Sequence, residues 1–473
     1  MVFSSPIFLF LFFPFALLGY YLFRKKLGNL FLLMISLLFY AWGEPKFVIV
    51  MIATVLLDYL LGLWGNRARA SGRSTRPVIV MAAVLNVGLL FVFKYLNFVT
   101  ENLRLLLGDA VPLTQIVLPI GISFFTFQAM SYVFDVCAGK GDVQRNPLNV
   151  LLYVSLFPQL IAGPIVRYQT VAQEINHRRE TLDDFTYGIE RFIIGFAKKA
   201  VLANTIGITV DYCFGLVGGE GGSGLTTGIA WLGAIGYSLQ LYYDFSGYSD
   251  MAIGLGRMFG FHFEENFNYP YMTKSVGEFW RRWHISMGSW FRDYVYFPLG
   301  GSKVNGTGRI IFNLFVVWLL TGIWHGANWT FIVWGLWHFL WIAFERISGI
   351  PKRCGKIGAA VYRAITVVVV IIGWVIFRAD SLPQAKVYLI TMFTNCFGQN
   401  QAGFQYLCRY WPFYLAALIF CAPIYQILCQ RVGNASASLI GNAIYKIILL
   451  LLFAISIVFC IAGTYNAFIY FNF

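Results

Sequence analysis

Long, continuous apolar runs separated by short polar stretches make up this chain from its beginning to its end. They lie at residues 4–23, 27–42, 47–64, 77–99, 115–136, 148–165 and 192–210, then at 226–245, 310–324, 329–344, 359–377, 411–429 and 444–465. Most approach the roughly 20 residues that a helix needs to cross a bilayer. Backbone in hydrocarbon must satisfy its own hydrogen bonds, so such runs form helices. The alternating pattern of a membrane barrel is absent. Two runs depart from a clean span. Residues 148–165 carry Pro158, Gln159, Gly163 and Pro164, which suits a bent or re-entrant element. Residues 192–210 carry Lys198 and Lys199 and read as interfacial. The pattern predicts an all-α polytopic membrane protein with about eleven crossings plus re-entrant and interfacial helices. Without a long linker or an internal repeat, residues 1–473 read as one membrane domain, with core motifs at 120–345 and C-terminal helices at 359–473.

The first run lacks the basic start and small-residue cleavage site of a signal peptide, and Arg24-Lys25-Lys26 follow it. It reads as a retained span whose basic loop faces the cytoplasm, which leaves the N-terminus extracytoplasmic. The basic segment 167–199 and the loop 352–356 then face the cytoplasm as well, and residues 379–410 form an outside loop. Strict alternation through the runs gives the opposite side for the last two, so at least one span is misplaced.

Composition agrees: 59% of the residues are hydrophobic and 12% charged, against about a quarter charged in soluble domains. The net charge of +14 reads as cytoplasmic loops facing anionic lipid rather than as a nucleic-acid face. Eight cysteines are scattered singly. Cys396 and Cys408 share one polar stretch and could pair in an oxidising compartment.

Residues 242–337 differ from their surroundings. Asp244, Asp250, Glu278, Asp293 and four of the five histidines fall inside or just beyond this stretch. Polar side chains in a membrane interior normally face a cavity or pathway, which predicts a wet chamber within the helical shell. His325 ends one apolar run just before the next, with Gly322 and Gly326 leaving room for a substrate. An imidazole can take a proton from a hydroxyl near neutral pH and return it. His284, in Trp280-Arg281-Arg282-Trp283-His284, reads equally as part of an interfacial aromatic belt and as a re-entrant residue approaching His325. His338 reads as a packed, hydrogen-bonded histidine, and His262 and His177 as solvated. No phosphate-binding loop, nucleophile elbow or zinc-protease spacing is present, and no metal site is expected. A secondary transporter or flippase for a glycan or anionic substrate is the alternative use of a polar chamber, and a non-catalytic scaffold a third.

Several segments resemble the membrane-bound O-acyltransferase (MBOAT) family. They are Ser123-Phe124-Phe125-Thr126-Phe127-Gln128, Phe157-Pro158-Gln159-Leu160-Ile161-Ala162-Gly163-Pro164-Ile165, the runs 243–251 and 280–294, and Trp324-His325-Gly326-Ala327-Asn328-Trp329. Gly373-Trp374-Val375-Ile376-Phe377-Arg378-Ala379-Asp380-Ser381 resembles the branch that contains the membrane subunits of alginate and peptidoglycan O-acetylation. The teichoic-acid D-alanyl transfer proteins are more distantly similar. The resemblance implies a ring of helices around a central funnel in a bacterial cytoplasmic membrane. It implies that an acetyl group leaves a cytoplasmic thioester, acetyl-coenzyme A or another acyl thioester, toward hydroxyls of a cell-envelope polysaccharide. An extracytoplasmic partner transferase is implied, and no tightly bound cofactor. His325 then matches the family's catalytic histidine and His284 its second important polar residue. On the resulting hypothesis His325 is a general base, while His284 and Asn328 orient substrate and stabilise the oxyanion. Trp324 and Arg282 complete the expected substrate-binding set. Arg167, Arg178 and Arg179 would suit coenzyme A phosphates, or simply follow the positive-inside rule.

Overall fold

A computed structural model of the protein describes residues 1–218, 224–353, 355–396, 400–424 and 439–463. Among these residues the chain is helical without a strand, apart from one isolated antiparallel bridge between Phe267 and Trp283. Seven helices among the described residues are long and apolar enough to cross a membrane: Phe8–Gly43, Phe47–Ala70, Arg76–Ala110, Leu182–Gly215, Thr307–His325, Lys356–Arg378 and Gly441–Ala462. Thr227–Met258 and Trp329–Ser348 are also long but richer in polar and tryptophan residues. The protein is thus an all-α polytopic membrane protein.

Several of the apolar runs take a form other than the one expected, for physical reasons. Residues 4–23 and 27–42 are not two spans: no helix breaker separates them, and Phe8–Gly43 runs through as one helix. Arg24, Lys25 and Lys26 therefore lie on the exposed side of a helix rather than in a loop, which removes the basis of the orientation read from that cluster. The helix Ile122–Ala138 has 17 residues, shorter than the apolar run around it. Residues 192–210, expected at the interface, belong to Leu182–Gly215, which includes a π-helical turn at Lys198–Ala203. Residues 379–410 are not an open loop: Leu382–Thr394 and the first half of Gln401–Phe420 occupy most of them. Cys396 and Cys408 are free, exposed thiols. The bent element is present, since Pro147–Ser155 ends after 9 residues and the non-helical stretch 156–166 is buried throughout.

The described residues form two compact units interleaved in sequence, which is why no linker marks them. One contains Met1–Phe192 and Tyr248–Glu265, the other Ile193–Gly247 and Asn266–Phe473. In the first, rings of Phe3, Phe8, Phe12, Phe39 and Phe157 pack into one aromatic cluster. Two of its arginines, Arg167 and Arg178, are committed to internal partners. Arg167 makes a two-pronged contact with Glu264 at 2.7 and 3.0 Å. Arg178 donates to the Tyr20 hydroxyl at 2.8 Å and lies over the Phe261 ring. These two are therefore not spare phosphate ligands, whereas Arg179 is exposed. His262 is not merely solvated: Nδ1 meets Glu174 at 2.7 Å and Nε2 meets Asp184 at 3.3 Å.

In the second unit, Thr307–His325 and Trp329–Ser348 form a hairpin whose backbones touch. A Cβ on Gly335 would lie 2.5 Å from the Trp318 carbonyl oxygen and 3.1 Å from the Gly322 Cα. Small residues let membrane helices approach in this way. The space beside Gly326 is filled by the Phe331 ring, so these glycines serve packing rather than substrate access.

Candidate active site

The segment around His284 is built by local capping. Ser275 starts the helix Val276–Arg282 and accepts from the Glu278 N–H at 3.1 Å. Glu345, from the hairpin, accepts from the Val276 and Gly277 N–H groups at 2.6 and 2.9 Å. A carboxylate there complements both the unpaired donors and the helix dipole. After Arg282 the chain turns, and His284 sits in the left-handed region at φ 48° and ψ 53° before Ile285–Phe291. For a residue with a Cβ this conformation costs about 1–2 kcal/mol, and it persists only where the surroundings enforce it.

The enforcing residue is Asn266. Its carbonyl accepts from the Ile285 N–H at 3.0 Å. Its Oδ1 accepts from the Ser286 N–H at 3.1 Å and the Ser286 hydroxyl at 2.9 Å, and lies 3.2 Å from His284 Nδ1. His284 is fully buried, and burial lowers its pKa to about 3, so the ring is neutral. Its Nε2 has no hydrogen-bond partner among the described residues.

His325 is the last residue of its helix and is buried. The Trp324 ring lies next to both histidines, 6.1 Å from His284 and 5.0 Å from His325. Trp334 and Phe377 stand edge-on to His325 at 4.9 and 5.2 Å. Phe245 stands edge-on to His284 at 4.6 Å. His338 packs among Trp280, Trp334 and Trp318 at 4.9, 5.3 and 5.6 Å, and neither of its ring nitrogens has a hydrogen-bond partner among the described residues. It is packed as expected but not hydrogen-bonded. Aromatic rings pack around the three histidines.

The carboxylates of this stretch are held in ion pairs. In the second unit Asp244 pairs with Lys199 at 2.6 Å, Glu278 with Arg282 at 2.7 Å and Asp293 with Arg292 at 3.1 Å. In the first, Asp250 pairs with Arg191 at 2.7 Å. Their density in the sequence is charge compensation. Arg282, expected to touch substrate, is held by Glu278. Asn328 caps Trp329–Ser348, accepting from the Thr330 N–H at 3.1 Å and donating to the Asp380 carbonyl at 2.9 Å. Among the described residues no three His, Cys, Asp or Glu side chains are grouped as metal ligands.

The family model of MBOAT, the membrane-bound O-acyltransferase family, matches residues 140–376. That span holds His284, His325, Trp324 and Trp334, and Phe377 lies one residue beyond it. The chain belongs to the membrane-bound O-acyltransferase family. This acyltransferase is 44% identical over 389 residues to the probable alginate O-acetylase AlgI of Pseudomonas aeruginosa, covering 81% of this chain and 73% of that protein. It is 33% identical to the peptidoglycan O-acetyltransferase of Helicobacter pylori, covering 81% and 78%. The teichoic acid D-alanyltransferase of Bacillus subtilis is more distant, 32% identical with coverage of 46% and 56%. The protein is an O-acyltransferase enzyme, which removes the transporter and scaffold readings. Sequence reasoning missed Asn266, Lys199, Phe245, Trp334 and Phe377 as parts of the site's framework. Asn266 lies within residues 242–337, but nothing local marks it as the partner of a turn 18 residues away.

Proposed function

We propose that this acyltransferase moves an acetyl group from a cytoplasmic thioester to hydroxyls of a cell-envelope polysaccharide, with alginate the first acceptor to test. The observation that carries the reading is the Trp324 ring beside both His284 and His325 among packed aromatic rings. The relatives named for alginate and peptidoglycan O-acetylation support acetyl as the group and a polysaccharide as the acceptor.

In this mechanism a His325 ring nitrogen takes the proton of the acceptor hydroxyl as its oxygen attacks the thioester carbonyl carbon. The new C–O bond forms and the tetrahedral oxyanion collapses. The C–S bond then breaks, and the leaving thiolate takes the proton back from His325. Trp334 carries a buried indole N–H with no partner among the described residues, beside His325, and is the group suited to stabilise the oxyanion. His284 orients the reacting groups and Trp324 forms the wall against which they lie. The donor is acetyl-coenzyme A or another acyl thioester. The protein works in the bacterial cytoplasmic membrane, and an extracytoplasmic partner transferase completes delivery.

The test is transfer of labelled acetyl from acetyl-coenzyme A to alginate in proteoliposomes containing the protein and its envelope partner. His325→Ala should lower transfer by about 10²–10⁴-fold, the usual contribution of a placed acid/base group, with normal membrane insertion. Equal labelling by wild type and variant would overturn the assignment.

A further inference from the structure

The hydrogen bonds at Asn266 determine which nitrogen of His284 carries the proton. A carboxamide has one oxygen and one NH₂ group, and their assignment must come from their partners. The Ser286 backbone N–H can only donate, so the Asn266 atom 3.1 Å from it is the oxygen. The Ser286 hydroxyl donates to the same oxygen at 2.9 Å. His284 Nδ1 lies 3.2 Å from that oxygen, and two lone pairs at this distance would repel, so Nδ1 bears the hydrogen. The ring is buried and neutral, with one proton to place. Nε2 is therefore a bare lone pair.

We propose that Asn266 is a positioning residue that fixes His284 as the Nδ1–H tautomer, leaving Nε2 as an acceptor for a substrate hydroxyl. The same residue holds the left-handed turn through its main chain, by accepting from the Ile285 N–H at 3.0 Å. Ring orientation and tautomer are thus set by one side chain, while Phe245 and Trp324 wall the imidazole. In this state His284 cannot donate to an oxyanion. It receives the hydrogen bond of a neighbouring, non-attacking hydroxyl of the acceptor and so holds the attacking oxygen at the thioester carbon, while the attacking hydroxyl gives its own proton to His325. The tautomer follows from geometry alone; the hydroxyl as the partner of Nε2 rests on the proposed active site.

The test is solid-state NMR of the full-length protein in lipid nanodiscs, with ring-¹⁵N histidine, the His284 signals being those lost in His284→Gln. At pH 7 wild-type His284 should show a protonated Nδ1 and an unprotonated Nε2. Asn266→Leu should abolish that preference, and Asn266→Asp, which keeps an accepting oxygen, should retain it. A wild-type His284 protonated at Nε2 overturns the proposal, whether or not the variants fold, as does a preference unchanged in Asn266→Leu. In acetyl transfer, Asn266→Leu should lower kcat about 10- to 100-fold with little change in KM, the scale typical when a group orienting a functional histidine is removed. The Asp variant should recover most of that rate. Loss of the tautomer with unchanged kcat overturns the substrate role of Nε2. The expected tautomer in a wild-type protein that transfers no acetyl group at all counts against the proposed function instead, and leaves the tautomer assignment supported.

Discussion

Neutralising one member of the Lys199–Asp244 pair should destabilise the protein far more than replacing both. The two charged atoms are 2.6 Å apart, and each side chain is 2% exposed. At an effective dielectric of about 20, unit charges at that separation attract by about 6 kcal/mol. Desolvation takes back several kcal/mol per ion, so the intact pair contributes little net stability. Lys199→Met or Asp244→Leu removes the attraction but leaves the other charge buried, at a cost of about 3–5 kcal/mol. That is a change of about 150- to 4,000-fold in the folding equilibrium. Lys199→Met with Asp244→Leu should lie within about 1 kcal/mol of wild type, giving a coupling of about 5 kcal/mol or more in a double-mutant cycle. Unfolding by sodium dodecyl sulfate in mixed micelles, followed by tryptophan fluorescence, supplies the four free energies. Single variants that cost under about 1 kcal/mol, or a double variant equal to the sum of the singles, would refute the reasoning.

Three further outcomes follow from the geometry. Gly335→Ala should cost about 1–3 kcal/mol through overpacking, because its Cβ meets backbone atoms that cannot turn away; the same unfolding titration measures it. Asn328→Ala should cost about 1 kcal/mol as a lost cap yet change acetyl transfer less than about tenfold, and a larger drop would return Asn328 to the substrate. His284 has its pKa lowered by burial to about 3, against about 6.5 when unfolded. Its neutral form therefore stabilises the fold fully above about pH 6.5, and that contribution is lost as pH falls toward 3. At pH 5 the wild type should have lost roughly 2 kcal/mol that His284→Asn retains, read as the difference between their acid unfolding curves.

Membrane class and family were legible because both reside in contiguous residues: apolar length declares a helix, and Trp324-His325-Gly326-Ala327-Asn328-Trp329 is a local signature. What failed depended on partners distant in sequence. A basic cluster marks a loop only if the helix breaks, and Arg24-Lys25-Lys26 contain no breaker. Lys199 looked interfacial because its counter-ion lies 45 residues away, in a helix not yet folded against it. Gly322 looked like an opening because sequence cannot show that Phe331 and Gly335 close it. The free histidine edge at Nε2 became visible only once Asn266 was placed.

The left-handed turn at His284 also acts as a filter on what can ever stand there. Among side chains bearing a Cβ, few enter that backbone region readily, chiefly asparagine, aspartate and histidine. Glycine enters as well but carries no functional group. Of the three, aspartate would place an unpaired charge in a fully buried pocket. The main chain thus narrows the choice to two uncharged residues able to offer a lone pair, before any demand of catalysis is made. Innovation at this spot has a vocabulary of two words, and the fold wrote it.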